Sequence, residues 1–186
     1  MGIKRNAYPD EIKRLITERI SYDPGSGAFT WKIAPPRKPF LLGKEAGYIN
    51  RHGYRLIRIR LKGKRWIITA SHIAWLIHTG GWPSEAKEID HKDGNRSNDS
   101  IANLRLATRS QQLANSSPKP HKGYPDLPLG VTINKLTDKY IARIRINNKV
   151  TNLGSFDCCS QAGDAYRTAA VRLHGDFSIT KRLTHY

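Results

Sequence analysis

Residues 89–95 read Ile-Asp-His-Lys-Asp-Gly-Asn, and this stretch dominates the prediction of both fold and chemistry. It places a histidine directly beside a carboxylate, and Asn103 supplies a carboxamide after an intervening loop. Residues 109–115, Arg-Ser-Gln-Gln-Leu-Ala-Asn, then add further carboxamides. A histidine can take a proton from water, while carboxylate and amide oxygens can hold a hard cation against a phosphate. The pattern therefore predicts a site that can hydrolyse phosphodiester bonds.

The composition adds a strong positive charge to this pattern. The 186 residues include 32 lysines and arginines against 15 acidic residues, so the formal net charge is +17. An excess of this size predicts attraction to a polyanion, either nucleic acid or an anionic membrane surface. The apolar stretch around residues 67–77 is interrupted by polar residues and is too short to span a membrane, and no signal peptide is apparent. We therefore expect a nucleic acid as the partner, no membrane association and a cytoplasmic location; that the nucleic acid is double-stranded DNA is implied only by the family resemblances of the motif and of the C-terminal unit.

The only two cysteines, Cys158 and Cys159, are adjacent. Neighbouring cysteines can hardly crosslink a fold, and no Cys-x-x-Cys spacing offers a zinc site. Reduced thiols in a cytosol are the expected state. No small-molecule cofactor is predicted.

The residues before the motif predict a mixed helical and β region. Residues 8–20 carry apolar side chains at helical spacing, residues 53–69 alternate in the manner of a β-hairpin, and residues 71–78 return to a helical pattern. Together with the motif they form a predicted N-terminal domain over residues 1–116. Its functional core is expected to occupy residues 86–116.

A separate unit is predicted after a linker. Residues 117–128 have a linker's composition and lack apolar periodicity. Residues 139–146 then alternate between two faces, and Ser160 can cap a helix with one apolar face. We expect a small three-stranded antiparallel sheet packed on one helix over residues 129–178, followed by a basic tail at 179–186.

The motif resembles the HNH endonucleases, and most closely the phage and intron-encoded branch that includes homing endonucleases. The likeness is carried by residues 90–95, 103–105 and the Gln- and Asn-rich segment after Thr108, and it extends over about residues 22 to 115. It implies an α+β fold built on a ββα-metal, or His-Me, finger. The cytoplasm of a bacterial host would be the location of a phage-encoded member.

The resemblance also implies roles for individual residues. His91 would be the general base that activates water, and Asn103 would hold the imidazole or the loop in position. Asp90 would bind a single divalent cation, Mg²⁺ or Mn²⁺, since such cations prefer oxygen ligands. The helix position of the family's second metal ligand, typically Asn, is Gln112 here. Asn115 lies on roughly the same helical face and is an alternative candidate for this ligand.

The C-terminal unit resembles the plant ethylene-response-factor, or AP-two, DNA-binding domain over about residues 129–178. In that family the three-stranded sheet lies in the DNA major groove and the helix packs behind it. The alternation of residues 139–146 independently predicts a cationic face opposite the helix. The candidate DNA contacts are Arg143, Arg145, Lys139 and Lys149, with Arg105 from the motif segment as a further candidate.

These observations predict a phage or homing-type DNA endonuclease, with a divalent metal and a histidine base, targeted by its C-terminal domain. The alternative is a sequence-specific DNA-binding protein that does not cleave, built on a degenerate HNH scaffold. Gln112 supports this alternative because its longer side chain can loosen the metal geometry. Nicking and double-strand cleavage both stay open, as do the monomer and the homodimer.

Overall fold

The computed structural model describes residues 8–84, 87–115, 124, 126–146 and 149–178. The chain divides into an N-terminal unit, residues 1–108, and a C-terminal unit, residues 109–186. The predicted domain boundary at residue 116 stays a prediction. Most of the predicted linker at 117–128 and the whole predicted tail at 179–186 lie outside the described residues. No helix in the described part of the chain is long and apolar enough to cross a membrane.

The N-terminal unit combines two helices with seven short strands that pair within three antiparallel sheets in its described residues. β1 pairs with β2, β4 lies between β3 and β5, and β6 pairs with β7. In chain order the elements are α1 Asp10–Arg19, β1 Ile20–Tyr22, β2 Phe29–Trp31, β3 Tyr48–Ile49, β4 Arg55–Leu61, β5 Lys64–Thr69, α2 Ala70–Thr79, β6 Glu88–His91 and β7 Leu104–Ala107.

The core of the N-terminal unit lies between the β3–β4–β5 sheet and the two helices. Burial alternates along the middle of β4, where Ile57 and Ile59 are buried while Arg58 and Arg60 are exposed. Ile16 of α1 and Ile73 of α2 are fully buried in the same cluster. Each such side chain contributes about 1.5–3 kcal/mol when it leaves water. This core provides a rigid base beside the β6–β7 pair.

β6 and β7 form the hairpin that carries the motif residues. Their register places Asp90 opposite Arg105 and His91 opposite Leu104. The backbone N–H of Lys92 donates to the carbonyl of Asn103 at 2.9 Å, so the two ends of the connecting loop are held together. A single 3-10 turn, Ile101–Asn103, leads the chain into β7. The loop between β6 and β7 therefore brings the chain back to pair with β6.

The C-terminal unit contains a three-stranded antiparallel sheet with β9 at its centre, covered by α4. Burial alternates along β9 as the sequence predicts, since Ala142 and Ile144 are buried while Arg143 and Arg145 are exposed. Cys158 and Cys159 are free thiols. The elements are α3 Arg109–Asn115, β8 Val131–Ile133, β9 Tyr140–Ile146, β10 Lys149–Phe156 and α4 Cys159–His174.

α4 approaches the backbone closely at Gly130, just before β8, and Gly130 has a φ of +74°. A Cβ atom there would lie 2.1 Å from the Tyr166 ring and 2.8 Å from the carbonyl oxygen of Arg143. Gly130→Ala is therefore expected to lower the free energy of unfolding by roughly 2–4 kcal/mol, from backbone strain plus overpacking. Urea denaturation of the full chain measures this loss.

Gly63→Ala is the matched control for this prediction. Gly63 has a similar φ of +77°, but a Cβ atom there would meet no heavy atom within 4 Å. This variant should lose only the backbone term of about 1–2 kcal/mol. Equal losses in the two variants would show that the Tyr166 contact does not restrict residue 130.

Candidate active site

The last two residues of β6 present the central functional groups of the site. Asp90 and His91 are both largely buried, and His91 has 5% of its surface exposed. Because successive strand residues point to opposite faces, these neighbouring side chains meet different partners. Asp90 contacts Arg105 and His91 contacts Asp99. The side chains of Asp90 and His91 therefore lie on opposite faces of the hairpin, although the two residues are neighbours in the chain.

Asp90 and Arg105 form an ion pair across the β6–β7 ladder. The Arg105 Nε donates to Asp90 Oδ2 at 2.9 Å, and its Nη2 lies 2.8 Å from the same oxygen. An ionised carboxylate offers about four lone-pair positions, so this contact is compatible with simultaneous cation binding. The contact orients the carboxylate. The assignment of Arg105 as a DNA contact stays a prediction.

Asn103 braces the loop that connects β6 and β7. Its Oδ1 accepts from the backbone N–H of Asp93 at 3.0 Å, and its Nδ2 donates to Asp93 Oδ1 at 2.9 Å. The same Nδ2 donates to the backbone carbonyl of Asn98 at 2.8 Å. Asp93 Oδ1 also accepts from the N–H of Asn95 at 2.8 Å, which is a turn-forming bond. A buried carboxamide with these bonds fixes the loop.

Asp99 lies beside His91 and was absent from the candidates drawn from the sequence. It is 1% exposed, and its Oδ1 lies 3.3 Å from His91 Nε2. Burial raises the pKa of the Asp99 carboxyl, while the hydrogen bond from His91 and the charge of Arg55 act in the opposite direction. Its sequence context, Asn98-Asp99-Ser100, is typical of an exposed loop. Only the folded loop brings this carboxylate to the imidazole.

The two carboxamides predicted as metal ligands, Gln112 and Asn115, lie on α3 in the C-terminal unit. Gln112 Oε1 accepts from Arg109 Nη1 at 3.4 Å, and Asn115 is buried. α3 packs within its own unit against the 3-10 turn Gly175–Phe177. The ligand assignments of both residues stay predictions.

The candidate DNA contacts of the C-terminal unit lie on and next to β9 and β10. Arg143 stands opposite Asn152 in the sheet, and Arg145 stands opposite Val150. Lys149 is exposed at the start of β10, while Lys139 Nζ lies 3.2 Å from Asp157 Oδ1. The described contacts therefore leave an exposed face with two arginines on one strand. Its DNA-binding role stays a prediction.

The oxygen donors fit a hard divalent cation. The described residues contain no group of three or more His, Cys, Asp or Glu side chains that could hold a metal. A protein site for Mg²⁺ does not need such a group, because one or two carboxylates bind this cation together with water and substrate phosphate. The oriented carboxylate of Asp90 is a donor of this kind.

Comparison with known proteins connects this segment to a nuclease family. Residues 69–114 match the family model described as HNH endonuclease. Among solved structures, the chain resembles that described as "DNA binding and cleavage by the HNH homing endonuclease I-HmuI". This likeness has 25% sequence identity and a TM-score of 0.39, and covers 52% of this chain and 51% of that one. The chain thus spans about half of that neighbour. No curated protein sequence matches.

Proposed function

We propose that this protein is a metal-dependent DNA endonuclease that hydrolyses phosphodiester bonds with His91 as its general base. The observation that carries this proposal is the fixed imidazole of His91 at the end of β6, within the segment that matches HNH endonucleases. The adjacent Asp90 supports it with a carboxylate that is already oriented by Arg105. A histidine base and an oxygen ligand are the two groups that metal-assisted hydrolysis requires.

In the proposed reaction, His91 takes a proton from a water molecule as the water oxygen attacks phosphorus. The phosphorus–3′-oxygen bond breaks, the leaving oxygen takes a proton from solvent water, and His91 returns its proton to solvent, which leaves a 5′-phosphate and a 3′-hydroxyl. Asp90 would hold the divalent cation. A bound Mg²⁺ or Mn²⁺ supplies neutralisation of the charge that develops on the phosphate and the leaving oxygen.

The C-terminal unit would bring this site to its DNA. Its exposed strand face carries Arg143 and Arg145, and the whole chain has a formal net charge of +17. Lysine and arginine contacts to phosphate give affinity that falls as salt rises, while an arginine at a guanine edge adds about 1–3 kcal/mol of discrimination. An AP-two-like mode, with this sheet in the major groove, is the form of recognition that we propose.

Incubation with supercoiled plasmid tests the proposed activity. We expect nicked or linear DNA to accumulate with Mg²⁺ or Mn²⁺, and EDTA to prevent it because the cation is removed. Agarose gels follow cleavage, and a gel shift on a radiolabelled duplex follows binding in the same buffers. A protein that shifts DNA but leaves the plasmid intact with every divalent metal tested would instead be a non-cleaving DNA-binding protein.

A further inference from the structure

We propose that Asp99 is a positioning residue for His91. Its carboxylate holds the imidazole proton on Nε2, so that Nδ1 is the nitrogen that accepts the proton of the attacking water. The catalytic consequence rests on the proposed nuclease function, whereas the position of the proton does not. Asp99 thereby joins His91 as the proposed base, Asn103 as the residue that fixes the loop, and Asp90 as the proposed metal ligand.

The contact between the two side chains is buried on both sides. Asp99 Oδ1 lies 3.3 Å from His91 Nε2, and the side chains are 1% and 5% exposed. A carboxylate only accepts hydrogen bonds when it is ionised, so the nitrogen facing it must carry the proton. A neutral imidazole has one N–H, and its other nitrogen is then a base. The geometry therefore selects one of the two neutral tautomers.

Backbone hydrogen bonds hold Asp99 and its neighbours in place. The Tyr22 hydroxyl donates to the backbone carbonyl of Asp99 at 2.8 Å, and the N–H of Ile101 donates to the carbonyl of Pro24 at 3.0 Å. Burial, with the charge of Asp99, raises the pKa of Tyr22 to about 12, so its hydroxyl stays a donor. The first bond attaches the residue 99–101 segment to the end of β1, and the second attaches it to the turn that follows.

The same segment is pressed closely against that turn at Gly27. Gly27 has a φ of +75°, and a Cβ atom there would lie 2.4 Å from the backbone nitrogen of Ser100 and 2.6 Å from the carbonyl carbon of Asp99. The two backbone segments are so close that no Cβ atom fits between them, and this leaves little room for the loop to shift. The position of the Asp99 carboxylate is thus set by the N-terminal unit.

The second oxygen of the carboxylate faces a cation. Arg55 Nε lies 4.0 Å from Asp99 Oδ2, and Arg55 also forms an ion pair with Glu45. Burial raises the pKa of the Asp99 carboxyl, whereas the hydrogen bond from His91 and the positive charge of Arg55 favour its ionised form, which is the form that accepts from His91. An ionised Asp99 also stabilises the imidazolium that forms when Nδ1 takes the water proton, because the Nε2 proton stays between the ring and the carboxylate.

NMR of the full chain with ¹⁵N-labelled histidine tests the proton position directly. Measured at a pH where the ring of His91 is neutral, Nε2 should show a directly bonded proton and Nδ1 should not. His91→Ala identifies the His91 signals by their loss. A neutral ring with its proton on Nδ1 would overturn the proposal in the unaltered protein, whether or not the protein cleaves DNA.

Asp99→Asn tests the consequence for catalysis. The asparagine amide can donate to Nε2 and so favour the wrong tautomer, and we expect the single-turnover cleavage rate to fall about 10–100-fold, the usual effect of losing such an orienting partner. Affinity for the DNA duplex should stay within about twofold, because Asp99 acts through the base. Asp10→Asn removes an exposed carboxylate from α1 and should leave both quantities unchanged.

A double variant separates positioning from general loss of structure. If Asp99 acts through His91, Asp99→Asn should not lower the residual cleavage of His91→Ala any further. Multiplicative losses would show that Asp99 acts by another route and overturn the positioning role. Absence of cleavage by the unaltered protein would refute the nuclease function instead, while the tautomer would still decide the role of Asp99.

Discussion

His91→Ala is expected to lower the single-turnover rate of DNA cleavage by about 100–10,000-fold, the range that a general base contributes. Alanine has no group that can take the proton of the attacking water. The side chain lies at the end of β6 and is not part of the main apolar cluster of the N-terminal unit. Affinity for a DNA duplex should therefore stay close to that of the unaltered protein. Rapid-quench cleavage and a gel shift measure the two quantities separately.

The control for this prediction is His78→Ala. His78 lies in the last turn of α2 and is exposed, so its loss removes an imidazole from the same unit without altering β6. Its cleavage rate should equal that of the unaltered protein. If both histidine variants cleave at the full rate, His91 is not the base and the proposed mechanism is wrong. A parallel loss of cleavage and binding would instead indicate damage to the fold.

Arg143→Ala combined with Arg145→Ala should give the largest effect on DNA binding. Both guanidinium groups lie on the exposed face of β9, where truncation leaves the buried residues Ala142 and Ile144 in place. Loss of two phosphate contacts should reduce the slope of log affinity against log salt by about 1.8, at about 0.9 for each contact. Fluorescence anisotropy with a labelled duplex between low and moderate salt measures this change.

Arg167→Ala combined with Arg172→Ala removes the same net charge from α4, on the covering layer of the C-terminal unit. This pair should change the salt slope much less, since we expect the sheet to face the DNA and the helix to lie behind it. Equal slopes for the two double variants would mean that the positive charge attracts DNA without a specific role for β9. Cleavage at saturating protein should be unaffected by either change.

Local patterning predicted much of the secondary structure. The predicted hairpin at 53–69 corresponds to β4 and β5, and the predicted helix at 71–78 corresponds to α2. Such elements are readable because side-chain periodicity is fixed by the local backbone. The predicted first helix ran to Ile20, whereas α1 ends at Arg19 and Ile20 begins β1. This end was missed because Ile20 pairs with Trp31, and a pairing of distant residues leaves no local signal.

The site was predictable only in part, for a similar reason. Asp90, His91 and Asn103 stand out in the sequence because their residue types and spacing suit phosphodiester chemistry. Asp99 has no such signal, because its contact with His91 depends on how the loop returns to β7. The contact of Arg105 with Asp90 likewise depends on the strand register, while the role of Arg105 as a DNA contact stays a prediction. Strand register and loop closure depend on contacts between residues that are distant in the sequence, so the local sequence does not reveal them.

The attachment of Asp99 to the end of β1 also limits how far the chain can be shortened without losing the contact between Asp99 and His91. Tyr22 and Asp99 are separated by 77 positions along the chain, yet they share a hydrogen bond. Contacts between such distant residues form only once the intervening chain has folded. A fragment covering residues 86–116 would keep the motif but lose the groups that hold its carboxylate. The β6–β7 hairpin is therefore not expected to keep the Asp99–His91 contact on its own, and truncation should stop before Tyr22.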